Sequence, residues 1–434
     1  MKKLVYVVSG GISQYVEKRL AATPHLLVRE AYEYALDSLG IPFSRAPGLI
    51  DGVVVSPITP SCKPHMAAMI MESLGLFSKS LIRIEEHDTT GGACFQEAVR
   101  QIISDHTNID ICLAYGWEAI TAGSTDKRTD FFGRFAHTCD NMNIATSHKT
   151  TNATPEQTAK VSVKNHRNAA YNPYACRRGM IYICDGREVT AENLTIDDVL
   201  RARSLITGSL TRLDMCEISE GAAVCILANE NGLLRLRKAG AKLRHSVMVS
   251  GMGQANGMPS SAHKPPHEYE NYSAPLAAQT AYSSHPTQVA THQAYAAAKV
   301  TYPFWELDFV ELHDSYAPSE IQTYEDLGLC SNGEGGTFVD NGFPFLSSVN
   351  YGRALKEFMK RRVLAVNPSG GLIACGHSGS ATALRQIVFS LWQLQETIKE
   401  HFGSDALQVP HARRGAIHSY CDASNRATVN ILER

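Results

Sequence analysis

The sequence predicts an α/β protein built from two similar halves, and three observations carry that prediction. Strand-like apolar runs alternate with helical periodicity throughout the chain. The order of these elements occurs twice. The runs are also continuously apolar rather than alternating, which suits strands covered by helices on both faces.

In the first half, "LVYVVSGG" opens as a strand and "DGVVVSP" supplies a second. "GGACFQEAVRQIISD" has helical periodicity, "DICLAYGWE" is a further strand, and "GAAVCILANENG" closes the unit. The second half answers with "HSVMVSGMG", "WELDFVELHDS", the helix "SGSATALRQIVFSLWQLQ" and a closing strand "RATVNILER". The expected join is near residue 235, giving units 1–235 and 236–434. Between Trp117 and Met215 the chain makes a polar, aromatic-rich excursion, read as a loop or cap subdomain over about 118–215. Inside it, Thr154-Pro155-Glu156-Gln157 predicts a helix start, with Thr154 as N-cap, Pro155 at the first helical position and Gln157 completing a capping box. A second irregular stretch, 250–276, is rich in Gly, Pro, Ser and His and reads as a surface or site-lining loop.

Composition narrows the function classes. The 434 residues are 44% hydrophobic and 19% charged, an ordinary globular balance, and the net charge of −2 comes without any basic stripe. Nucleic acid is therefore not an expected partner. No apolar run reaches the roughly 18 residues of a membrane span, and the short "LVYVV" near the N-terminus reads as a strand rather than a signal peptide. Eleven cysteines are scattered with no CxxC pair, which predicts reduced thiols in a cytoplasmic protein and neither a disulfide framework nor a metal site.

Three stretches carry the candidate chemistry. "ELHDSYAPSEIQTYEDLGL" puts His313 after a buried strand and before a helix. "AVNPSGGLIACGHSGSATALRQIVFSL" gathers a strand, a Gly-rich turn, His377 and a helix N-terminus. Polar residues at the carboxyl ends of buried strands are where α/β sheets build sites, and a helix N-terminus offers positive potential to a developing oxyanion. "RIEEHDTTGGACFQEAVRQIISD" sets His87 and Asp88 before a helix and Cys94 within it. Asp88 is read either as the helix N-cap, shared with Thr89 or Thr90, or as a general base; both can hold together. Cys94 is expected to be buried, and His87 to have a supporting or packing role.

These motifs together resemble the thiolase superfamily, and its sterol-carrier-protein-type branch in particular. "HDSYAPSEIQTYEDLGL" is similar to the HDCF-type motif of that branch, "NPSGGLIACGHSGSATA" to its NPSGG and GHPxGATG motif, and "TPEQTAKVSVKNHRNAAYNP" to its loop-domain signature. "LTRLDMCEISEGAAVCIL" resembles the approach to the last strand of the N-terminal half. The resemblance implies a five-layer αβαβα fold with two pseudo-repeated halves and an inserted loop domain. It implies a coenzyme A thioester as substrate, no permanently bound cofactor, a dimer or dimer of dimers, and a small zinc- and OB-fold partner protein. Laid on the family's EAACASGGAA pattern, Asp88 falls where the nucleophilic Cys stands.

The same resemblance assigns roles to further residues. His377 activates a nucleophile or polarises a carbonyl, in a loop reading "GHSGS" instead of GHPxG. His313 lies on the oxyanion side, followed by Ser315 where the branch has Cys. Tyr316 is read as a proton donor or as core. Cys421 lies near the second catalytic Cys, with Asp422, Ala423, Ser424 and Asn425 replacing the glycines of that turn; Cys375 is a more remote candidate thiol. Gly371, Gly376, Ser378, His148 and Arg167 are candidate contacts to the CoA thioester, and the loop region with Lys164, His166, Arg177 and Arg178 approaches CoA in the family. The expected activity is making or breaking a C–C bond beside a thioester without a Cys acyl-enzyme. Conventional acyl transfer by a displaced Cys421 or Cys375, and a non-catalytic acyl-CoA-binding subunit, are the alternatives.

Overall fold

The computed structural model describes residues 3–17, 19, 22–57, 65–119, 153–184, 186–202, 210–257, 285–352, 362–421 and 426–434. Its strands are β1 Tyr6–Ile12, β2 Gly52–Pro57, β3 Ser80–Arg83, β4 Ile111–Glu118, β5 Ile181–Cys184, β6 Arg187–Thr190, β7 Gly221–Ala228, β8 Val247–Asn256, β9 Phe309–Glu311, β10 Ala365–Val366, β11 Arg414–Cys421 and β12 Arg426–Glu433. Ten of them are ordered β10-β9-β11-β12-β8-β1-β7-β4-β2-β3, while β5 and β6 pair separately.

That order contains the repeat. Counting each half's strands in chain order, β3-β2-β4-β7-β1 reads third, second, fourth, fifth, first, and β10-β9-β11-β12-β8 reads the same. Pairing sense repeats too. The third, second and fourth strands are parallel, and the fifth is antiparallel to both its neighbours. The halves meet through antiparallel β1 and β8, at Tyr6↔Met248 and Val7↔Val247. The expected join near residue 235 falls within the helix Glu230–Lys238, and the second set of strands begins at Val247.

Seven helices matter for the site: α1 Pro24–Leu39, α2 Thr90–Ile103, α3 Pro155–Ala170, α4 His285–Ala298, α5 Ala317–Asp326, α6 Gly371–Cys375 and α7 Thr382–Leu394. Helices α2 and α7 pack on each other and on strands of both halves. Helix α1 covers β1, β7 and β4, and α4 covers β8 and β12. The layers are thus helix, sheet, helix, sheet, helix. A central helix must be apolar nearly all round, and every residue of α7 is buried. Its Leu384, Ile387, Val388 and Leu391 join Phe95, Ala98, Val99 and Ile102 of α2 in one core, each large side chain contributing about 1.5–3 kcal/mol of burial. Among the buried polar residues of these helices, Gln96 donates to the Gly253 carbonyl at 2.9 Å and to Asn430 Oδ1 at 3.0 Å, tying α2 to the second sheet.

Helix α3 starts as the sequence predicts: Thr154 Oγ1 accepts from the Gln157 N–H, and Gln157 closes the capping box. It lies on α5 and α6. Its Lys164 Nζ is 2.7 Å from Glu320 Oε1, with both side chains fully buried, and also donates to the Val366 carbonyl at 2.7 Å. Asn168 and Asn172 donate to the carbonyls of Asn367 and Ser369 at 3.0 and 2.9 Å. Residues 164, 168 and 172 recur at helical spacing, so one polar face of α3 and its end clamps the loop after β10. Breaking such a buried ion pair costs about 3–5 kcal/mol, because the surviving charge is left without a partner.

Two elements departed from expectation. Strand β11, which carries Cys421, was not foreseen, because "RGAIHSYC" lacks a sustained apolar run. Helix α7 begins four residues later than the predicted helical segment, after a 3-10 turn Gly379–Ala381. Much of the stretch 250–276, and residues 120–152 of the expected cap, lie outside the described residues. Among the described residues, no helix is long and apolar enough to cross a membrane, and the cysteines are free.

Candidate active site

The cluster forms where the chain enters the two central helices. Before α2, Thr89 Oγ1 donates to the Glu86 carbonyl at 2.7 Å, and Thr90 Oγ1 accepts from the Glu86 N–H at 2.7 Å. Two threonines therefore pin a tight turn in which His87 takes a left-handed φ of 56°, uncommon for a residue with a side chain. The turn brings His87 Nδ1 to 3.1 Å from Asp88 Oδ2. Gly92 is required one turn on, since a Cβ there would lie 2.1 Å from Thr428 Oγ1 on β12.

From the other half, His377 leaves α6 through Gly376, whose φ is 102° and whose added Cβ would lie 2.5 Å from Ser219 Oγ. The His377 N–H donates to the Glu217 carbonyl at 2.7 Å, and its own carbonyl accepts from Ser219 at 2.9 Å. Its ring nitrogens are 2.9 Å from Thr382 Oγ1 and 3.3 Å from Asp88 Oδ1. His313 packs edge to face on it, with ring centroids 5.1 Å apart. His313 Nε2 is 2.9 Å from Ser315 Oγ, and its Nδ1 is buried without a partner among the described residues. Cys421, at the end of β11, completes the group with Sγ 3.1 Å from His87 Nδ1.

Electrostatics follow from these contacts. Burial alone would raise the Asp88 pKa, but hydrogen bonds from His377 and His87 overcome it and hold the carboxyl well below the usual carboxylate range. Burial opposes charge on His87, yet its contacts with Asp88 and Cys421 win and raise it to about 10. Burial, reinforced by the His377 ring, pushes His313 well below its ordinary value. At neutral pH the group thus holds a carboxylate, an imidazolium at His87 and a neutral imidazole at His313.

Of the residues singled out from sequence, Asp88, His313, His377 and Cys421 come together. Asp88 is not the cap of α2: its carboxylate is taken by two imidazoles instead. Cys94 is buried, its thiol 3.4 Å from the Val54 carbonyl. Cys375 is separated from the cluster at the end of α6, where Asn172 approaches it and burial lifts its thiol to about 11. Tyr316 is half-buried before α5, its N–H donating to Ser319 Oγ at 3.2 Å. Ser378 is buried, its N–H donating to Thr382 Oγ1 at 3.0 Å. Gly371 has a packing reason: φ is 62°, and a Cβ would lie 2.2 Å from the Asp314 carboxylate, which accepts the first N–H groups of α6.

The loop cations are corrected by the structure. Arg167 is not brought into the cluster, because its guanidinium donates to the Leu194 carbonyl at 2.9 and 3.0 Å and to that of Asn350. Lys164, His166 and Arg177 are buried with internal partners, and only Arg178 of that group is exposed. A charge-rich helix can look ligand-facing in sequence when its charges are spent inside the fold. His148 lies outside the described residues. Thr382, and Ser419, which donates to the Asp88 carbonyl at 3.1 Å, were missed, as was the contact role of His87. The adjacent His-Asp pair was the only signal, and the left-handed turn that makes it useful leaves no mark in composition.

Residues 271–434 match the family model described as thiolase C-terminal domain-like. The chain is 28% identical over 412 residues to sterol carrier protein 2 of Homo sapiens, covering 90% of this chain and 66% of that protein. It is 26% identical over 380 residues to acetyl-CoA acetyltransferase of Methanothermobacter thermautotrophicus, covering 85% and 84%. Its fold overlays the solved Ltp2-ChsH2(DUF35) aldolase with a TM-score of 0.68 at 16% identity, across 98% of this chain and 97% of the other. The chain is thus similar to thiolase-type proteins along most of its length. The chain spans slightly under two thirds of the length of the sterol carrier protein 2 it matches. Its fold is the five-layer thiolase fold, and the cluster lies where the two halves of that fold meet.

Proposed function

We propose that this protein is an acyl-CoA enzyme of the sterol-carrier-protein-type branch that makes or breaks a C–C bond beside the thioester without a Cys acyl-enzyme. One observation carries the reading: Asp88, which the sequence resemblance lays on the position of the nucleophilic Cys, bonds two imidazoles from the mouth of a central helix. A carboxylate is a poor acyl carrier, since a mixed anhydride lies well above a thioester in energy.

Retro-aldol cleavage of a 3-hydroxyacyl-CoA fits these groups. The hydroxyl gives up its proton, the bond between C2 and C3 breaks, and the electron pair passes to the thioester carbonyl as an enolate that is then protonated. His377 Nδ1 stays on Thr382, and Nε2 polarises the thioester oxygen when the substrate takes the place of Asp88 Oδ1 at that nitrogen. Neutral His313, with Nδ1 free of partners among the described residues, takes the hydroxyl proton. Asp88, with one oxygen on each of two imidazoles, serves to hold them, which revises its expected role. The test is turnover of 3-hydroxyacyl-CoA and 3-oxoacyl-CoA panels by purified protein and by His377→Ala. Turnover that falls in the variant is expected; none by either protein refutes the reading.

The 3.1 Å contact of Cys421 with His87 favours a second reading, acyl transfer through Cys421. Labelled acyl-CoA followed by mass spectrometry decides it: label on Cys421 supports transfer, and unlabelled cysteines eliminate it. The two-component name of the Ltp2-ChsH2(DUF35) aldolase supports a heteromeric partner, here a small zinc- and OB-fold protein beside a homodimer. Activity that appears only on co-expression of such a partner is the corresponding check.

A further inference from the structure

His87 Nδ1 stands 3.1 Å from Asp88 Oδ2 and 3.1 Å from Cys421 Sγ. One N–H makes one well-directed hydrogen bond. A nucleophile–imidazole–carboxylate relay instead uses both ring nitrogens, one for each partner. Here a nitrogen, an oxygen and a sulfur converge on the same side of one imidazole, with all three atoms within 4.8 Å of one another. Three unlike donor atoms arranged around one point are a ligand set.

We propose that Cys421, His87 and Asp88 form a binding site for a divalent ion of borderline softness, zinc above all. Thiolate, imidazole and carboxylate together suit zinc better than calcium or magnesium, which take oxygen ligands. With zinc bonds of about 2.0–2.3 Å, tetrahedral ligands stand roughly 3.3–3.6 Å apart, so the two 3.1 Å spacings open by a few tenths of an ångström and the sulfur–oxygen spacing, within 4.8 Å, settles to about 3.6 Å. The site is supported from behind: His377 holds the second Asp88 oxygen at 3.3 Å, and Ser419 holds the Asp88 carbonyl at 3.1 Å. Metal-bound carboxylates are commonly steadied in this way. The two buried threonines of the turn fix the strained His87 backbone that makes both neighbours available. Three protein ligands leave a fourth position for a substrate oxygen, the form of catalytic rather than structural zinc sites. Binding exchanges the protons of Cys421 and His87 for the ion and releases them to solvent.

This proposal departs from the sequence expectation of no metal, which rested on the lack of a CxxC pair. Ligands drawn from a turn and a strand more than 330 residues away leave no local spacing to read. The inference stands apart from the proposed reaction, because it is tested without substrate. Full-length protein, stripped by chelator, is titrated with cobalt(II) and followed by absorption. The expected result is one ion per chain with a thiolate-to-cobalt charge-transfer band. Cys421→Ser abolishes that band, and His87→Ala weakens binding at least tenfold. Cys330→Ser, a half-buried cysteine elsewhere, leaves both unchanged. No such band, or a band undiminished in Cys421→Ser, overturns the proposal. Should Cys421→Ser fail to fold, X-ray absorption on zinc-loaded wild type decides: one sulfur neighbour supports the site, and none refutes it.

Discussion

The two halves share one strand order and one pairing pattern, yet they treat the entrance to their central helices differently. In the first half the chain enters α2 through a threonine-pinned turn that presents a carboxylate. In the second it enters α7 through a glycine-rich turn that presents an imidazole. Equivalent topology brings both entrances together where the sheets face each other, so each half supplies what the other lacks. The lesson concerns economy of scaffold: a repeated fold delivers two helix mouths to one place, and divergence of a few side chains there makes an asymmetric site. The supports differ as well. The first entrance is held by its own hydroxyls, whereas the loop before the second is clamped from outside by Lys164, Asn168 and Asn172.

If the two entrances form one site, Asp88→Asn and His377→Ala should each lower turnover of the thioester substrate by about 10²–10⁴-fold. The double variant should then fall little further than either single one; losses that multiply would mean the halves work separately. The next largest effect concerns the clamp. Lys164→Met leaves the buried Glu320 carboxylate without its cation, held only by donors from Asn165, Asn367 and Tyr324, and should cost about 3–5 kcal/mol in urea-unfolding stability. An unchanged midpoint would show that the second entrance needs no external support.

A smaller effect probes how closely the first entrance meets the opposite sheet. Gly92→Ala places a Cβ 2.1 Å from Thr428 Oγ1 and should cost about 1–3 kcal/mol by overpacking, partly restored by Thr428→Ala. The smallest lies beneath the second entrance, where Glu311 accepts from the Ser369 N–H at 3.0 Å and its hydroxyl at 2.6 Å. Burial raises its pKa from 4.5 to about 7 despite those bonds. An acid with a raised folded pKa binds more protons folded than unfolded, so its contribution to stability falls as pH rises from about 4.5 to about 7. Glu311→Gln should remove that decline from the wild-type curve; parallel curves would contradict it.

Much of the fold was legible because continuous apolar runs and helical periodicity are local signals. The starts of β2, β4 and β7 followed from their apolar runs, and the α3 start from a capping box four residues long. Mixed-polarity β11 was not readable, since its pairing partners, rather than its composition, make it a strand. In the site, His313 and His377 were legible from glycine-rich turns and strand ends. Arg167 was misread, because its carbonyl partners at Leu194 and Asn350 come from elsewhere in the chain.

By itself, then, the sequence determined the element types, their duplication and the residues able to do chemistry, because periodicity and residue type are properties of neighbours along the chain. Only the tertiary structure decided which of those residues meet. Asp88 became the partner of His87 and His377 rather than a helix cap, and Cys421 rather than Cys375 joined them. Those outcomes depend on distances between segments hundreds of residues apart, which packing of the two central helices fixes and no local pattern encodes.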